Sequence, residues 1–183
     1  VTPDSERTMC TFLGSSGQIN EDDISLDSLK ESKVIFLEGY LWDEGAPKKA
    51  FEKAISNANK VAMSLSDLFC VDRHKPHFLE LVKKKLDIVF ANEGEIMSLI
   101  NTKKFDEVIA FAKEIKKQII ITRGEKGAIS INNNDVEEIG IKKNLKVLDL
   151  TGAGELFAAG DLHGLINNLT PKKGLEKGTE MAS

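Results

Sequence analysis

Short apolar runs alternate with amphipathic stretches along most of this chain. Val34-Ile-Phe-Leu37 precedes Pro47 to Asn59, where Ala50, Phe51, Ala54 and Ile55 recur at helical spacing and a proline suits the first helical position. The alternation repeats with Val61-Ala-Met-Ser-Leu65 before a helix near Pro76 to Lys84. Asp87-Ile-Val-Phe-Ala91 follows, before a helix from about Glu93 and another from Phe105 to about Lys116. Next come Ile119-Ile-Ile-Thr122 and then Ala128-Ile-Ser-Ile131, Asn132-Asn-Asn-Asp135 and Val136, which read as a hairpin. Arg7 to Leu13, closing on Gly14-Ser-Ser-Gly17, predicts a strand and a turn. Continuous apolar strands of about five residues, each followed by an amphipathic helix, are what a parallel sheet covered on both faces requires. The fold class is therefore α/β, with a mostly parallel central sheet. Ligands of such sheets bind beyond the carboxyl ends of the strands. That directs attention to Glu38-Gly-Tyr40, Ser66-Asp67, Asn92 to Glu95, Thr122-Arg-Gly124 and the loop before Glu155.

Composition narrows the classes. With 183 residues the chain can build one real core, and a single domain over 1–183 is the expectation. Hydrophobic residues at 41% and charged residues at 30% exclude a disordered chain, and no apolar run reaches the ~20 residues of a membrane span. A net charge of -4 argues against a nucleic-acid partner while leaving room for a small anionic ligand. Cys10 and Cys70 lie far apart without a Cys-x-x-Cys spacing, so neither a disulfide framework nor a structural zinc site is expected, and a reducing cytoplasm fits. The first residues form no signal peptide, the chain does not begin with Met, and Lys177 to Ser183 shows no closing element. Both ends are expected to be truncated.

Three segments carry candidate chemistry. In Asp149-Leu-Thr-Gly-Ala-Gly-Glu155, two glycines enter the good helix formers Leu156, Phe157, Ala158 and Ala159. Backbone N–H groups at such a helix start, with the positive end of the helix dipole, make an anion site. Taken alone, a Gly-x-Gly is more often an ordinary turn. Asn92 and Glu95 share one helical face, a spacing that serves either a helix cap or a hydrated cation. Thr122-Arg-Gly-Glu-Lys-Gly127 is a strand end with two glycines, readable as a hairpin turn. His74 and His77 are separated by a segment holding Pro76, which favours a surface loop over a metal site. Trp42 beside Tyr40 reads as core packing. Arg7 follows acidic residues, where a salt bridge is the plain reading and contact with a substrate phosphate the sharper one.

These segments together resemble the ribokinase/PfkB family. Asp149, Gly152, Ala153, Gly154, Phe157 and Gly160 stand in register with its signature Asp-Thr-x-Gly-Ala-Gly-Asp-x-Phe-x-x-Gly. Asn92 and Glu95 are similar to its Asn-x-x-Glu motif, and Thr122, Gly124 and Gly127 to its Thr-x-Gly-x-x-Gly segment. The resemblance implies a three-layer α/β/α ribokinase-like fold and ATP-dependent transfer of the γ-phosphoryl group to a hydroxymethyl group of a sugar or nucleoside. It implies that Gly152, Ala153 and Gly154 form the anion hole and that Glu155 holds the place of the catalytic base. By the same resemblance Asn92 and Glu95 organise Mg2+ and phosphates through water, and Thr122, Gly124 and Gly127 approach the nucleotide. Asp149 and Thr151 match positions that help hold a monovalent cation such as K+.

The chain departs from the signature at Leu150 in place of Thr, at Asp161 in place of an apolar residue, and at Glu155 in place of Asp. The longer side chain moves the carboxylate by ~1.5 Å, and misplacement on that scale can cost ~100-fold in rate. Asp161, if buried without a partner, is expected to be neutralised by protonation. Phe36-Leu-Glu-Gly-Tyr-Leu-Trp-Asp43 and Ser64-Leu-Ser-Asp-Leu-Phe-Cys-Val-Asp-Arg-His74 extend the likeness to bacterial adenosine and sugar kinases of the family. A complete member has on the order of 300 residues. An incomplete domain would expose a sheet edge, so a homodimer is expected. A catalytically inactive nucleotide-binding or assembly fragment is the alternative. A Rossmann dehydrogenase is disfavoured, because the glycine loop lies near the C-terminus without a following strand that bears an acidic residue.

Overall fold

A computed structural model describes residues 1–3, 7–42, 45–142 and 147–183. Six strands, β1 (Ile35–Glu38), β2 (Val61–Ser64), β3 (Ile88–Asn92), β4 (Gln118–Thr122), β5 (Ala128–Asn132) and β6 (Asp135–Ile139), form one open sheet in that order. β1, β2 and β3 are parallel, with Ile35 opposite Val61 and Ala62 opposite Ile88. The helices are α1 (Leu26–Glu31), α2 (Ala46–Asn57), α3 (Leu68–Lys84), α4 (Glu93–Leu99), α5 (Phe105–Ile115), α6 (Ala153–Ile166) and α7 (Pro171–Met181). The α/β class and the predicted strand–helix alternation are therefore observed.

The chain divides into two compact units, one of residues 13–121 and 131–135, the other of residues 1–12, 122–130 and 136–183. In the first, Val61, Met63, Ile88, Val89, Phe90, Ile119, Ile120 and Ile121 are buried along the strands beneath Phe78, Val82, Ile96 and Leu99. Their continuous apolar character is what a strand covered on both faces demands. Local signals set the helix starts: Pro47 in the first turn of α2, and the Asp67 carboxylate accepting from the Cys70 N–H at 2.8 Å before α3. In the second unit the core is smaller, with Ala128, Ile129, Phe157, Ala158 and Leu175 buried.

Three expectations change and one holds. Residues 7–13 form no strand; the 3-10 turn Gly14–Gln18 follows them, and Phe12 is 94% exposed. Among the described residues no neighbouring strand satisfies the backbone there, and β propensity without a partner builds nothing. His74 and His77 lie in α3 rather than in a surface loop. The helix runs through Pro76 with a kink at His74 (φ -113, ψ 15), which absorbs the proline's missing hydrogen bond. His74 is buried against Phe78, with ring centroids 5.6 Å apart. Trp42 is core packing as expected, edge-on to Phe51 at 5.7 Å and to His77 at 6.4 Å, with Lys48 Nζ 5.8 Å from its ring; Tyr40 is exposed. Finally, α7 closes the chain: Thr170 Oγ1 caps it at 3.4 Å from the Lys173 N–H, and Pro171 opens it.

Candidate active site

The loop before α6 is built by side-chain-to-backbone bonds. Asp149 Oδ1 accepts both the Thr151 N–H at 2.8 Å and the Thr151 hydroxyl at 2.7 Å, an Asx-type turn. The bond from the Thr151 hydroxyl, then that from its N–H, holds the Asp149 carboxyl below its ordinary pKa, with smaller help from Arg7. Arg7 Nη1 lies 3.5 Å from the Leu150 carbonyl oxygen, tying the N-terminal segment to this loop. Asp4 and Glu6, the acidic residues that precede Arg7, lie outside the described residues, as does Asp43.

Gly152 then takes the left-handed conformation (φ 79, ψ 0), which any residue with a Cβ adopts only with strain. The turn aims the chain into α6, whose first helical bond runs from the Leu156 N–H to the Gly152 carbonyl at 2.9 Å. Among the described residues, no acceptor in the loop takes the N–H of Gly154 or of Glu155, and a Cβ added at Gly152 or Gly154 would meet nothing within 4 Å. Free donors at the positive end of a 14-residue helix, opening onto unfilled space, fit a phosphoryl oxygen. Glu155 lies exposed in the first turn, beside those donors.

Asn92 and Glu95 form a reciprocal capping box at the start of α4. Asn92 Oδ1 accepts from the Glu95 N–H at 2.8 Å, Glu95 Oε2 from the Asn92 N–H at 2.9 Å, and Glu95 Oε1 from Asn92 Nδ2 at 2.6 Å. Glu95 is only 4% exposed. A buried carboxylate whose two oxygens each already accept a bond fits a hydrated ion held at second hand better than a directly ligated one. No group of three or more His, Cys, Asp or Glu able to hold a metal occurs among the described residues.

After β4, the Arg123 N–H donates to the Gly127 carbonyl at 2.8 Å and the Gly127 N–H to Gly124 at 2.9 Å, closing a tight turn. Gly127 (φ 84) is fixed by packing as well, since a Cβ there would sit 1.9 Å from the Ile139 carbonyl oxygen. Thr122 is half-buried at the strand end. At the carboxyl ends of β1 and β2 the structure shows a group that spacing alone did not reveal. Ser66, at φ 70, donates its hydroxyl to Glu38 Oε2 at 3.2 Å and accepts the Tyr40 N–H at 3.2 Å. A positive φ at a serine cannot be read from sequence; the position after a parallel strand was the available signal.

The structure thus combines an open α/β sheet with a glycine turn that feeds a helix N-terminus and a carboxylate in that helix's first turn. The family description for pfkB family carbohydrate kinases matches residues 1–183, and the chain belongs to that family. The structure is similar to the adenosine kinase from Sinorhizobium meliloti, with TM-score 0.95 and 36% identity over 100% of this chain and 57% of that one. It is also similar to a probable sugar kinase protein from Rhizobium etli CFN 42, with TM-score 0.87 and 33% identity over 91% of this chain and 52% of that one. A putative ribokinase II from E. coli, solved in complex with ATP and Mg2+, shares the fold at TM-score 0.81 and 18% identity, over 91% of this chain and 56% of that one. The chain thus spans little more than half the length of these relatives. No helix among the described residues is long and apolar enough to cross a membrane.

Proposed function

We propose that the protein to which this chain belongs transfers the γ-phosphoryl group of ATP to a hydroxymethyl group of a sugar or nucleoside. The observation that carries the proposal is the free N–H pair of Gly154 and Glu155 at the α6 start, beside the Glu155 carboxylate, in a chain of the pfkB family. Glu155 takes the proton of the acceptor hydroxyl as its oxygen bonds to the γ-phosphorus. The bond from that phosphorus to the bridging oxygen breaks, and ADP leaves with the electron pair. The free N–H groups of Gly154 and Glu155 bind the equatorial phosphoryl oxygens, where negative charge accumulates, while the Ala153 N–H of the expected anion hole is held by the Leu150 carbonyl at 3.3 Å. Thr122, Gly124 and Gly127 contact the nucleotide phosphates. Mg2+, when bound, neutralises phosphate charge; Asn92 and Glu95 are the residues that would hold it, through water. Asp149 and Thr151, already joined to each other, are the residues that would support a monovalent cation such as K+.

The adenosine kinase and sugar kinase relatives, at 36% and 33% identity, support adenosine, ribose and fructose as the acceptors to try first. A coupled ADP-release assay of the full-length protein with these three acceptors tests the reading; turnover with none of them, before and after Glu155→Asp, would sink it. The replacement of aspartate by Glu155 favours a second reading, an inactive nucleotide-binding protein. Calorimetry separates the two, because that reading requires ATP–Mg2+ binding without turnover.

A further inference from the structure

The first unit holds a cavity that no step above uses. It has a volume of about 520 Å3 and lies in the groove between α2 and α3. That size is within the range of clefts that take small molecules. Helical spacing builds its walls: Lys48, Glu52 and Ile55 fall on one stripe of α2, and His77, Glu80 and Leu81 on one stripe of α3, with Lys85 one turn further on.

The buried part of the lining is apolar. Trp42 is only 4% exposed, Leu81 is buried and Ile55 is half-buried. The indole N–H of Trp42 is buried without an acceptor. The ring is therefore held by packing against Phe51 and His77 and by Lys48, and no polar bond fixes its orientation.

The rest of the lining is ionic and balanced in sign. Lys48 and Lys85 stand against Glu52 and Glu80. Glu80 is engaged along its own helix by Lys84 at 3.3 Å. Glu52 and Lys85, on opposite walls, are exposed and make no side-chain hydrogen bond or ion pair among the described residues. Opposite charges that line one cleft without closing on each other suit the two ends of a zwitterion, whose apolar part can cover Trp42 and Leu81. A ligand with a single charge matches one wall and leaves the other unmatched.

We propose that the α2–α3 groove binds a small zwitterion with an apolar body, the chemistry of a free amino acid with a large apolar side chain. Lys85 binds its carboxylate, Glu52 its ammonium group, and the Trp42 ring and Leu81 its side chain. None of these residues takes part in the phosphoryl transfer proposed above, so the site stands or falls separately from the kinase reading.

The test uses the full-length protein and L-phenylalanine, with 3-phenylpropionate and phenethylamine as analogues that keep the ring and lack one charge each. In calorimetry phenylalanine is expected to bind with a Kd of about 1 mM or below, and each analogue about tenfold more weakly. Glu52→Gln and Lys85→Gln, both at exposed positions, should each weaken phenylalanine binding about tenfold. The indole N–H resonance of Trp42, identified by its loss in Trp42→Phe, should shift along the same saturation curve. Absence of saturable phenylalanine binding overturns the proposal, as does unchanged affinity in both glutamine variants. Equal affinity for phenylalanine and either analogue refutes the zwitterionic class. Should Trp42→Phe fail to fold, calorimetry of the parent and the two glutamine variants decides.

Discussion

Replacing Gly160 by alanine would test whether backbone contact between α6 and α7 holds the candidate phosphate loop in place. The added methyl would lie 2.6 Å from the Lys177 carbonyl oxygen and 2.7 Å from both Gly178 N and Gly178 Cα. All three are backbone atoms, so no side chain can swing away. Ordinary contact begins near 3.4 Å, and the difference requires the helices to separate by about 0.8 Å where they now touch. A gap on that scale forfeits a quarter to a half of each dispersion contact across the seam, and overpacking of this kind costs about 1–3 kcal/mol. Alanine returns up to ~1 kcal/mol through its better helix propensity. The net loss is about 1–2 kcal/mol, a fall in Tm of roughly 2–8 °C for a chain of this size. Urea denaturation followed by circular dichroism should show a lower midpoint at unchanged slope. Gly154→Ala is the control, since its methyl meets nothing within 4 Å and stability should stay level or rise slightly. If Gly160→Ala were as stable as the parent, the close α6–α7 seam would be wrong.

Two further predictions follow from polar groups. Asp161 has its pKa raised from 3.8 to about 7 by burial, so its cost to folding is absent below pH 3.8, grows through the interval and is complete above pH 7. At about 1.4 kcal/mol per tenfold the interval corresponds to about 4 kcal/mol. Asp161→Asn, which still buries an amide, should therefore stabilise the chain by about 1–3 kcal/mol at pH 8 and hardly at all at pH 4, as read from urea midpoints at the two pH values. Asn92→Ala removes the side chain that accepts the Glu95 N–H at 2.8 Å and donates to Glu95 Oε1 at 2.6 Å. Loss of the cap should lower stability by about 1–2 kcal/mol in the same assay, and an unchanged midpoint would show that the box contributes nothing.

The strands of the first unit were legible because burial on both faces forces continuous apolar runs, and Val61 to Leu65 and Ile119 to Thr122 leave no competing pattern. The hairpin of β5 and β6 followed from Asn132 to Asp135, whose Asn133 adopts φ 54. Where partners decide, sequence was a poor guide. Arg7 to Leu13 has strand-like composition and finds no strand beside it. Proline at Pro76 reads as a break, yet α3 continues through a kink at His74. α7 was invisible because Pro171 to Met181 buries only Gly174, Leu175 and Gly178, too few apolar positions to form a stripe. The phosphate loop was readable from its glycines, and the exceptional Asp161 from its place on a helix face otherwise apolar or small. The Arg7–Leu150 tie and the Ser66–Glu38 bond were not, since both join residues far apart in sequence through conformations that side-chain chemistry does not dictate.

The proposed transfer requires removal of the acceptor's proton by Glu155 while the free N–H groups of Gly154 and Glu155 hold the phosphoryl group. It is tested most directly by Glu155→Gln in the full-length protein. The variant keeps the size and hydrogen-bonding reach of the side chain and removes its basicity. Transfer of labelled γ-phosphoryl to an acceptor that the parent turns over should fall by about 10²–10⁴-fold, while ATP–Mg2+ affinity measured by calorimetry stays within a few fold. Equal turnover in parent and variant would contradict the account.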